Sequence, residues 1–103
     1  MRTYDKLVRD RIPEVIREND ETPVTHTVEG EAYRERLREK LVEEATEFRD
    51  DPSAAELGDV LDVVAAIRDA ETIDADELQQ KRRAKCEERG GFDDGVVLDR
   101  VEE

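Results

Sequence analysis

The sequence predicts an all-α fold. Breaks rich in Pro, Gly and Asp divide its 103 residues into four segments. In the two central segments apolar side chains recur at i, i+4, i+7 and i+11, which places them on one face of a helix. Residues that cap helices stand at the starts of the last two segments.

The first segment predicts a short helix followed by an extended stretch. Pro13 is tolerated only in the first turn of a helix, so this helix is expected to begin near Asp10 and to end before Asp20. Residues 21–30 are rich in Thr and Val, which favours an extended or loop conformation.

The second and third segments predict the two longest helices. Nothing from Glu31 to Arg49 breaks a helix, and the Asp-Asp-Pro sequence at 50–52 ends it. The third helix is expected from Ser53 to about Ala70, because Ser53 and Glu56 have the spacing of a capping box.

The fourth helix is expected to begin near Asp74, which is spaced as an N-cap with Glu77, and to end at Gly90-Gly91. Residues 92–103 form an acidic tail that we expect to be loosely ordered. At this length the whole chain, residues 1–103, is predicted to be one domain.

Composition excludes several classes of function. The net charge of -13 argues against binding to nucleic acids or anionic membranes, since both require cations. No apolar stretch approaches the roughly 20 residues of a membrane span, and no apolar signal core follows Met1, so we expect a cytoplasmic protein. Cys86 cannot form an internal disulfide or, with His26 alone, a zinc site, and we expect it to be buried.

The hydrophobic core is lean for a stable monomer. Leu, Ile, Val and Phe total 24 of 103 residues, so oligomerisation, a bound metal or high salt would have to compensate. The cations are 13 Arg and only four Lys. Abundant acid with scarce Lys is typical of halophilic proteins from a KCl-rich cytoplasm; the alternative is an ordinary acidic protein.

Carboxylates occupy positions where apolar residues belong in the second helix. One face of this helix carries Tyr33, Leu37, Leu41, Glu44 and Phe48, a row of residues that we call its ladder. Glu44 therefore lies within the apolar stripe, where an unpaired carboxylate is costly. Glu47 is its neighbour at the edge of that stripe.

The third helix repeats the pattern. Its ladder runs through Glu56, Val60, Val63 and Ile67, and Asp59 lies at the border of the stripe. Two antiparallel helices would bring the four carboxylates together in a cleft, where only protonation or a cation relieves their repulsion. Oxygen-only ligands select hard ions such as Mg²⁺ or Mn²⁺.

Two other readings of these acids stay open. In a chain with 30 acidic residues, i, i+3 acid pairs arise by chance on solvated faces, and Glu56 also has a capping position. Asp62 continues the acidic stripe, where it would either support the metal ligands or face water.

The fourth helix carries a row of cations at i, i+4 and i+8, formed by Lys81, Lys85 and Arg89. Such a row would suit a polyphosphate held jointly by metal and cations. Alternatively, these residues complement the helix dipole or pair with the surplus acids. A second cationic cluster lies near the start, at Lys6, Arg9 and Arg11.

The sequence resembles the MazG-like nucleoside triphosphate pyrophosphohydrolases. The EEATE at 43–47 and ELGD at 56–59 are similar to the EExxE…ExxD signature of that superfamily. The KLVRDRIP at 6–13 and KCEERGGF at 85–92 resemble its small phosphoribosyl-ATP pyrophosphohydrolase-like, house-cleaning branch. Only eight residues separate Glu47 from Glu56, fewer than in most members.

The resemblance implies a helical bundle completed in a homodimer or homotetramer. It also implies Mg²⁺-dependent cleavage between the α- and β-phosphates of a nucleoside triphosphate. Carried over by motif, Glu44, Glu47, Glu56 and Asp59 would be the metal ligands, and Lys81, Lys85 and Arg89 would contact phosphate.

In the mechanism we expect, a water molecule attacks phosphorus and Glu47 takes its proton. Two rival functions remain. One is phosphoribosyl-ATP pyrophosphohydrolysis in histidine biosynthesis, and the other is a non-enzymatic acidic helical module that binds a partner.

Overall fold

The computed structural model describes residues Met1–Glu103 and contains four α-helices and no β-strand, which confirms the all-α prediction. The chain divides into two units, Met1–Thr72 and Ile73–Glu103. The first unit contains α1 (Ile12–Glu18), α2 (Gly30–Asp50) and α3 (Ala54–Ala70), and the second contains α4 (Ala75–Arg89). None of these helices is long and apolar enough to span a membrane.

The capping residues read from the sequence set the helix starts. The hydroxyl of Ser53 accepts a hydrogen bond from the backbone N–H of Glu56 at 3.3 Å, at the start of α3. The carboxylate of Asp74 accepts from the N–H of Glu77 at 3.0 Å, at the start of α4. Each bond satisfies one of the N–H groups that the first turn of a helix leaves unpaired. The helix α4 ends where Gly90 takes a φ of 81°, a conformation that favours glycine.

Helices α2 and α3 pack against each other and form the core of the first unit. Leu37 of α2 is the one buried residue, at 3% exposure. Leu41 and Phe48 on α2 are partly buried, as are Val60, Val63 and Ile67 on α3. The predicted apolar ladders are therefore the faces on which the two helices meet.

A second apolar stripe on α3 is exposed. It consists of Leu57, Leu61 and Val64, which are 46%, 60% and 39% exposed. At about 100° per residue this stripe lies roughly a quarter turn around α3 from the side that packs on α2. A helix that is apolar on more than one side is typical of a buried position.

The N-terminal segment, residues 5–9, is fastened to α2 and α3 by ion pairs. Arg36 of α2 donates to the carboxylate and to the carbonyl of Asp5, each at 2.9 Å. Lys6 donates to Glu43 of α2 at 2.6 Å, and Arg9 contacts two acids of α3. This segment therefore reaches both helices that carry the predicted site.

In the second unit, the prediction that Cys86 is buried is wrong. The thiol of Cys86 is exposed, because α4 presents almost no apolar side chain beside it and only Leu78 of this helix is partly covered. The tail after Gly91 contains no helix, and its side chains are exposed.

Candidate functional site

Three of the four predicted metal ligands lie together. Glu44 from α2 and Glu56 and Asp59 from α3 each offer one carboxylate oxygen, and these oxygens lie within 4.8 Å of one another. We call these three residues the acidic triad. All three are partly buried, because α2 and α3 place them at the margin of the face on which the helices pack.

The donor set of the acidic triad suits a hard divalent cation. Mg²⁺ binds oxygen at 2.0–2.1 Å, so its ligand oxygens stand about 2.9 Å apart when adjacent and about 4.2 Å apart when opposite. The three oxygens lie within 4.8 Å of one another, so the side chains would close onto an ion to reach that geometry. Three carboxylates also leave octahedral positions for water or a phosphate oxygen.

Glu47 lies outside the acidic triad. It stands one turn along α2 from Glu44, and its side chain is exposed. Its negative charge is nevertheless among the causes that raise the pKa of Glu56, so it acts on the triad electrostatically. Glu47 is thus a neighbour of the acidic triad whose carboxylate makes no ion pair.

The local environment disfavours ionisation of Glu56. Desolvation raises its pKa first, and the charges of Asp59, Glu47, Asp51 and Glu44 raise it further. Like charges that face each other in a partly buried site oppose ionisation unless a proton or a cation intervenes. Glu56 is therefore the point at which the triad most lacks positive charge.

Lys40 partly balances the α2 side of the site. Its ammonium group donates to Glu43 at 2.9 Å and lies 3.2 Å from Glu44, and its side chain is 15% exposed. Desolvation lowers the pKa of Lys40, but the bonds to Glu43 and Glu44 outweigh it and the net pKa is raised. The pKa of Glu43 is lowered, chiefly by the hydrogen bond from Lys6.

Arg9 balances the α3 side. One of its terminal nitrogens, Nη2, donates to Asp59 at 2.7 Å and to Asp62 at 2.9 Å. Asp62 is thereby an ion-pair partner of a residue that also touches the triad, although its own side chain remains 65% exposed. The side chain of Arg9 is itself 58% exposed.

A cleft of about 280 Å³ lies between the N-terminal segment and the two long helices. Its polar lining includes Arg9 and Lys40 as well as Glu44 and Asp59. Its wall includes the aromatic ring of Tyr33 and apolar groups of Leu7, Val8, Leu37, Val63 and Ala66. Opposite charges thus face one another in a single concavity, as in sites that bind a metal together with an anion.

The three cations predicted to contact phosphate lie in the second unit. Lys81, Lys85 and Arg89 follow one another along α4 and are exposed. Their guanidinium and ammonium groups make few internal contacts; the Nε of Arg89 lies 4.0 Å from Glu88. Their phosphate-binding role stays a prediction.

Sequence reasoning missed the part played by Lys40 and Arg9. The i, i+4 spacing of Lys40 and Glu44 was the available signal, because such pairs meet on a helix surface. Arg9 lies 50 residues before Asp59, so no local spacing connects them. The sequence shows the cluster of cations near its start, but it does not show which acidic residues those cations bind.

This chain is similar over part of its length to a protein of undescribed function. No protein-family model matches the chain, and no solved structure matches it. A protein of Mycolicibacterium smegmatis (strain ATCC 700084 / mc(2)155), described as an uncharacterized protein, is 50% identical over 44 residues. Those residues make up 43% of this chain and 45% of that protein, so the match spans less than half the length of the curated relative.

Proposed function

We propose that this chain is a Mg²⁺-dependent nucleoside triphosphate pyrophosphohydrolase of the MazG-like superfamily, with Mn²⁺ as an alternative ion. It would cleave the bond between the α- and β-phosphates to give a nucleoside monophosphate and pyrophosphate. House-cleaning of non-canonical nucleotides is the role that the resemblance favours.

The observation that carries the proposal is the acidic triad at the edge of a cleft that also holds cations. Carboxylates outnumber cations around this region, which leaves a deficit of positive charge. The acids are Glu43, Glu44, Glu47, Asp51, Glu56, Asp59 and Asp62, and the cations are Lys6, Arg9 and Lys40. A divalent ion would reduce that deficit.

The residues divide the chemistry among them. Glu44, Glu56 and Asp59 would hold Mg²⁺, which supplies charge neutralisation at the phosphate oxygens and a more acidic bound water. Glu47 is exposed and outside the triad, so its carboxylate would be free to accept the proton of the attacking water. The water oxygen forms a bond to phosphorus as the bridging P–O bond breaks, and one phosphate group carries away the electron pair.

Oligomerisation belongs to the same proposal. The cleft volume of about 280 Å³ is just below the roughly 300–1,000 Å³ of small-molecule sites, so one copy would hold the phosphates more completely than the base. The exposed stripe of Leu57, Leu61 and Val64 gives a second copy an apolar surface on α3. A homodimer or homotetramer would cover that stripe.

The test is pyrophosphate release from a panel of ordinary and modified nucleoside triphosphates and from phosphoribosyl-ATP. Each substrate is assayed with Mg²⁺ and with EDTA, in dilute and in molar KCl. We expect release only with Mg²⁺. Release from phosphoribosyl-ATP alone would favour the histidine-biosynthesis reaction. No pyrophosphate release from any substrate would favour the acidic binding module.

The site itself is tested by Glu44→Gln, which keeps the shape of the side chain but removes the charge. We expect at least about a hundredfold loss of turnover, since a metal ligand that holds the reacting groups contributes several kcal/mol. Glu35→Gln, on the exposed side of the same helix, is the matched control and should retain full activity. Near-normal turnover in Glu44→Gln, with helix content preserved by circular dichroism, would show that the site lies elsewhere.

A further inference from the structure

We propose that Arg9 is a phosphate-positioning residue of the candidate site, held ready by the same carboxylates that surround the metal position. This inference rests on the proposed function. It concerns a residue of the N-terminal segment, which supplies neither the acidic triad nor the cations of α4.

The guanidinium of Arg9 is only half engaged. Both of its hydrogen bonds, to Asp59 and to Asp62, are made by Nη2. A guanidinium has five N–H donors in a rigid fork, and the donors on Nε and Nη1 have no partner in the structure. Arginine binds a phosphate in a bidentate manner through Nη2 together with Nη1 or Nε, so each of these free donors can give one hydrogen bond while Nη2 holds both carboxylates.

The free donors belong to a residue of the cleft. Arg9 lines it together with Lys40, Glu44 and Asp59, so an anion bound to a metal at the triad would lie beside the guanidinium. Lys40 is less available than Arg9 for this task, because its side chain is 15% exposed and its ammonium is shared by two carboxylates.

A bound cation would affect the two carboxylate partners of Arg9, Asp59 and Asp62, differently. Asp59 belongs to the acidic triad, so a bound metal would draw on its negative charge and weaken its hold on Arg9. Asp62 is outside the triad, so its hydrogen bond to Nη2 would remain. Arg9 would then be tethered through one N–H of Nη2, and the other N–H, released by Asp59, would complete a bidentate pair with Nε or Nη1 for a phosphate.

This arrangement predicts opposite effects of one substitution. Arg9→Met removes a positive charge next to Asp59, so in the absence of phosphate the triad should bind a divalent ion more tightly, by about threefold or more at low salt. The same variant loses the phosphate donors, so polyphosphate should bind at least about tenfold more weakly. A residue that merely fastened the N-terminal segment would weaken both kinds of binding.

The experiment measures two binding constants on folded protein. Electron paramagnetic resonance of free Mn²⁺ gives the metal affinity without nucleotide, and calorimetry with inorganic tripolyphosphate at saturating Mn²⁺ gives the phosphate affinity. Wild type is compared with Arg9→Met and with Arg9→Lys, which keeps the charge but loses the fork. Arg11→Met is the matched control, because Arg11 is exposed, makes no ion pair and does not line the cleft.

We expect Arg9→Met to bind Mn²⁺ more tightly and tripolyphosphate more weakly, Arg9→Lys to regain part of the phosphate affinity, and Arg11→Met to resemble wild type. Unchanged tripolyphosphate affinity in Arg9→Met, or weaker Mn²⁺ binding, would overturn the inference while Mg²⁺-dependent pyrophosphate release by wild type would still support the proposed function. The expected pattern without any such release would leave Arg9 as a polyphosphate ligand and remove the proposed reaction. A wild-type protein that binds neither probe would overturn both.

Discussion

The most informative single residue is Glu56, because its backbone and its side chain do different things. Its N–H donates to Ser53 and helps to start α3, whereas its carboxylate faces other negative charges that raise its pKa. The backbone bond explains why the residue is well placed in the first turn of a helix. The carboxylate remains an electrostatic cost in the absence of a cation.

This electrostatic cost should appear as a pH-dependent gain in stability when Glu56 is replaced by a neutral residue. A carboxyl whose pKa is raised by folding holds its proton more tightly in the folded state, so stability falls as the pH rises from the ordinary pKa through the raised one. The penalty therefore grows as the pH rises through that range. We therefore expect Glu56→Gln to stabilise the metal-free protein at pH 7, and the gain to shrink as the pH falls through that window.

The measurement is urea unfolding in EDTA at pH 7 and at pH 4. Glu35→Gln, on the exposed side of α2, is the control. It measures the stability gained by removing any one negative charge from a chain whose net charge is -13. A Glu56→Gln protein that is no more stable at pH 7 than the Glu35→Gln control would show that Glu56 carries no such penalty. In the proposed metal site, Glu56→Gln should also lose the stabilisation that added Mg²⁺ gives wild type.

At the scale of elements, the start of α3 positions the acidic triad. The Ser53 cap defines the first turn, and Glu56 and Asp59 follow three and six residues later on the side that meets α2. The cap was readable from the sequence because the Ser–Glu spacing is a local pattern. The reciprocal bond of a full capping box, from Ser53 N–H to the carboxylate of Glu56, is absent, which leaves that carboxylate free for the site.

We expect Ser53→Ala to destabilise the first unit by about 1 kcal/mol, the usual cost of removing an N-cap oxygen. Ser53→Asn is the matched control, since its amide oxygen can accept the same bond without adding charge. Thermal unfolding followed by circular dichroism measures the difference. Equal stability of the Ala and Asn variants would mean that the 3.3 Å bond from Glu56 N–H contributes nothing.

At the scale of the whole molecule, apolar surface is left uncovered. Leu37 alone is buried, while Leu57, Leu61 and Val64 form an exposed stripe on one helix. Isolated exposed apolar residues are ordinary, but a row of them along a helix marks a surface that packs on something. The proposed second copy would bury that row and add to a lean core.

We expect wild type to be larger than its 11.9 kDa monomer mass by light scattering, and Leu61→Glu to shift it towards the monomer. A buried charge without a partner costs several kcal/mol, which is enough to dissociate an ordinary interface. Val24→Glu is the matched control, because Val24 is 97% exposed in the loop before α2. If wild type is monomeric, or if both variants keep the wild-type mass, the α3 stripe is not the interface. The comparison is made in dilute and in molar KCl, because salt screens the repulsion between acidic copies.

The sequence by itself determined the helices and the faces of α2 and α3 on which they meet. These depend on local patterns: Pro13 in a first turn, caps at Ser53 and Asp74, Gly90 at a helix end, and apolar residues at helical spacing. The same spacing predicted that Glu44 and Glu56 would lie on packing faces, and the structure places both at the margin of the α2–α3 contact.

The tertiary structure alone decided which side chains complete the site. It placed Glu44 in the acidic triad and left Glu47, one turn along the same helix, outside it with an exposed side chain. It also brought Lys6 and Arg9 onto acids 37 and 50 residues away. Charged pairs so distant in sequence have no periodicity to reveal them, since their distance is set by the path of the chain and by the electrostatic attraction that fastens it.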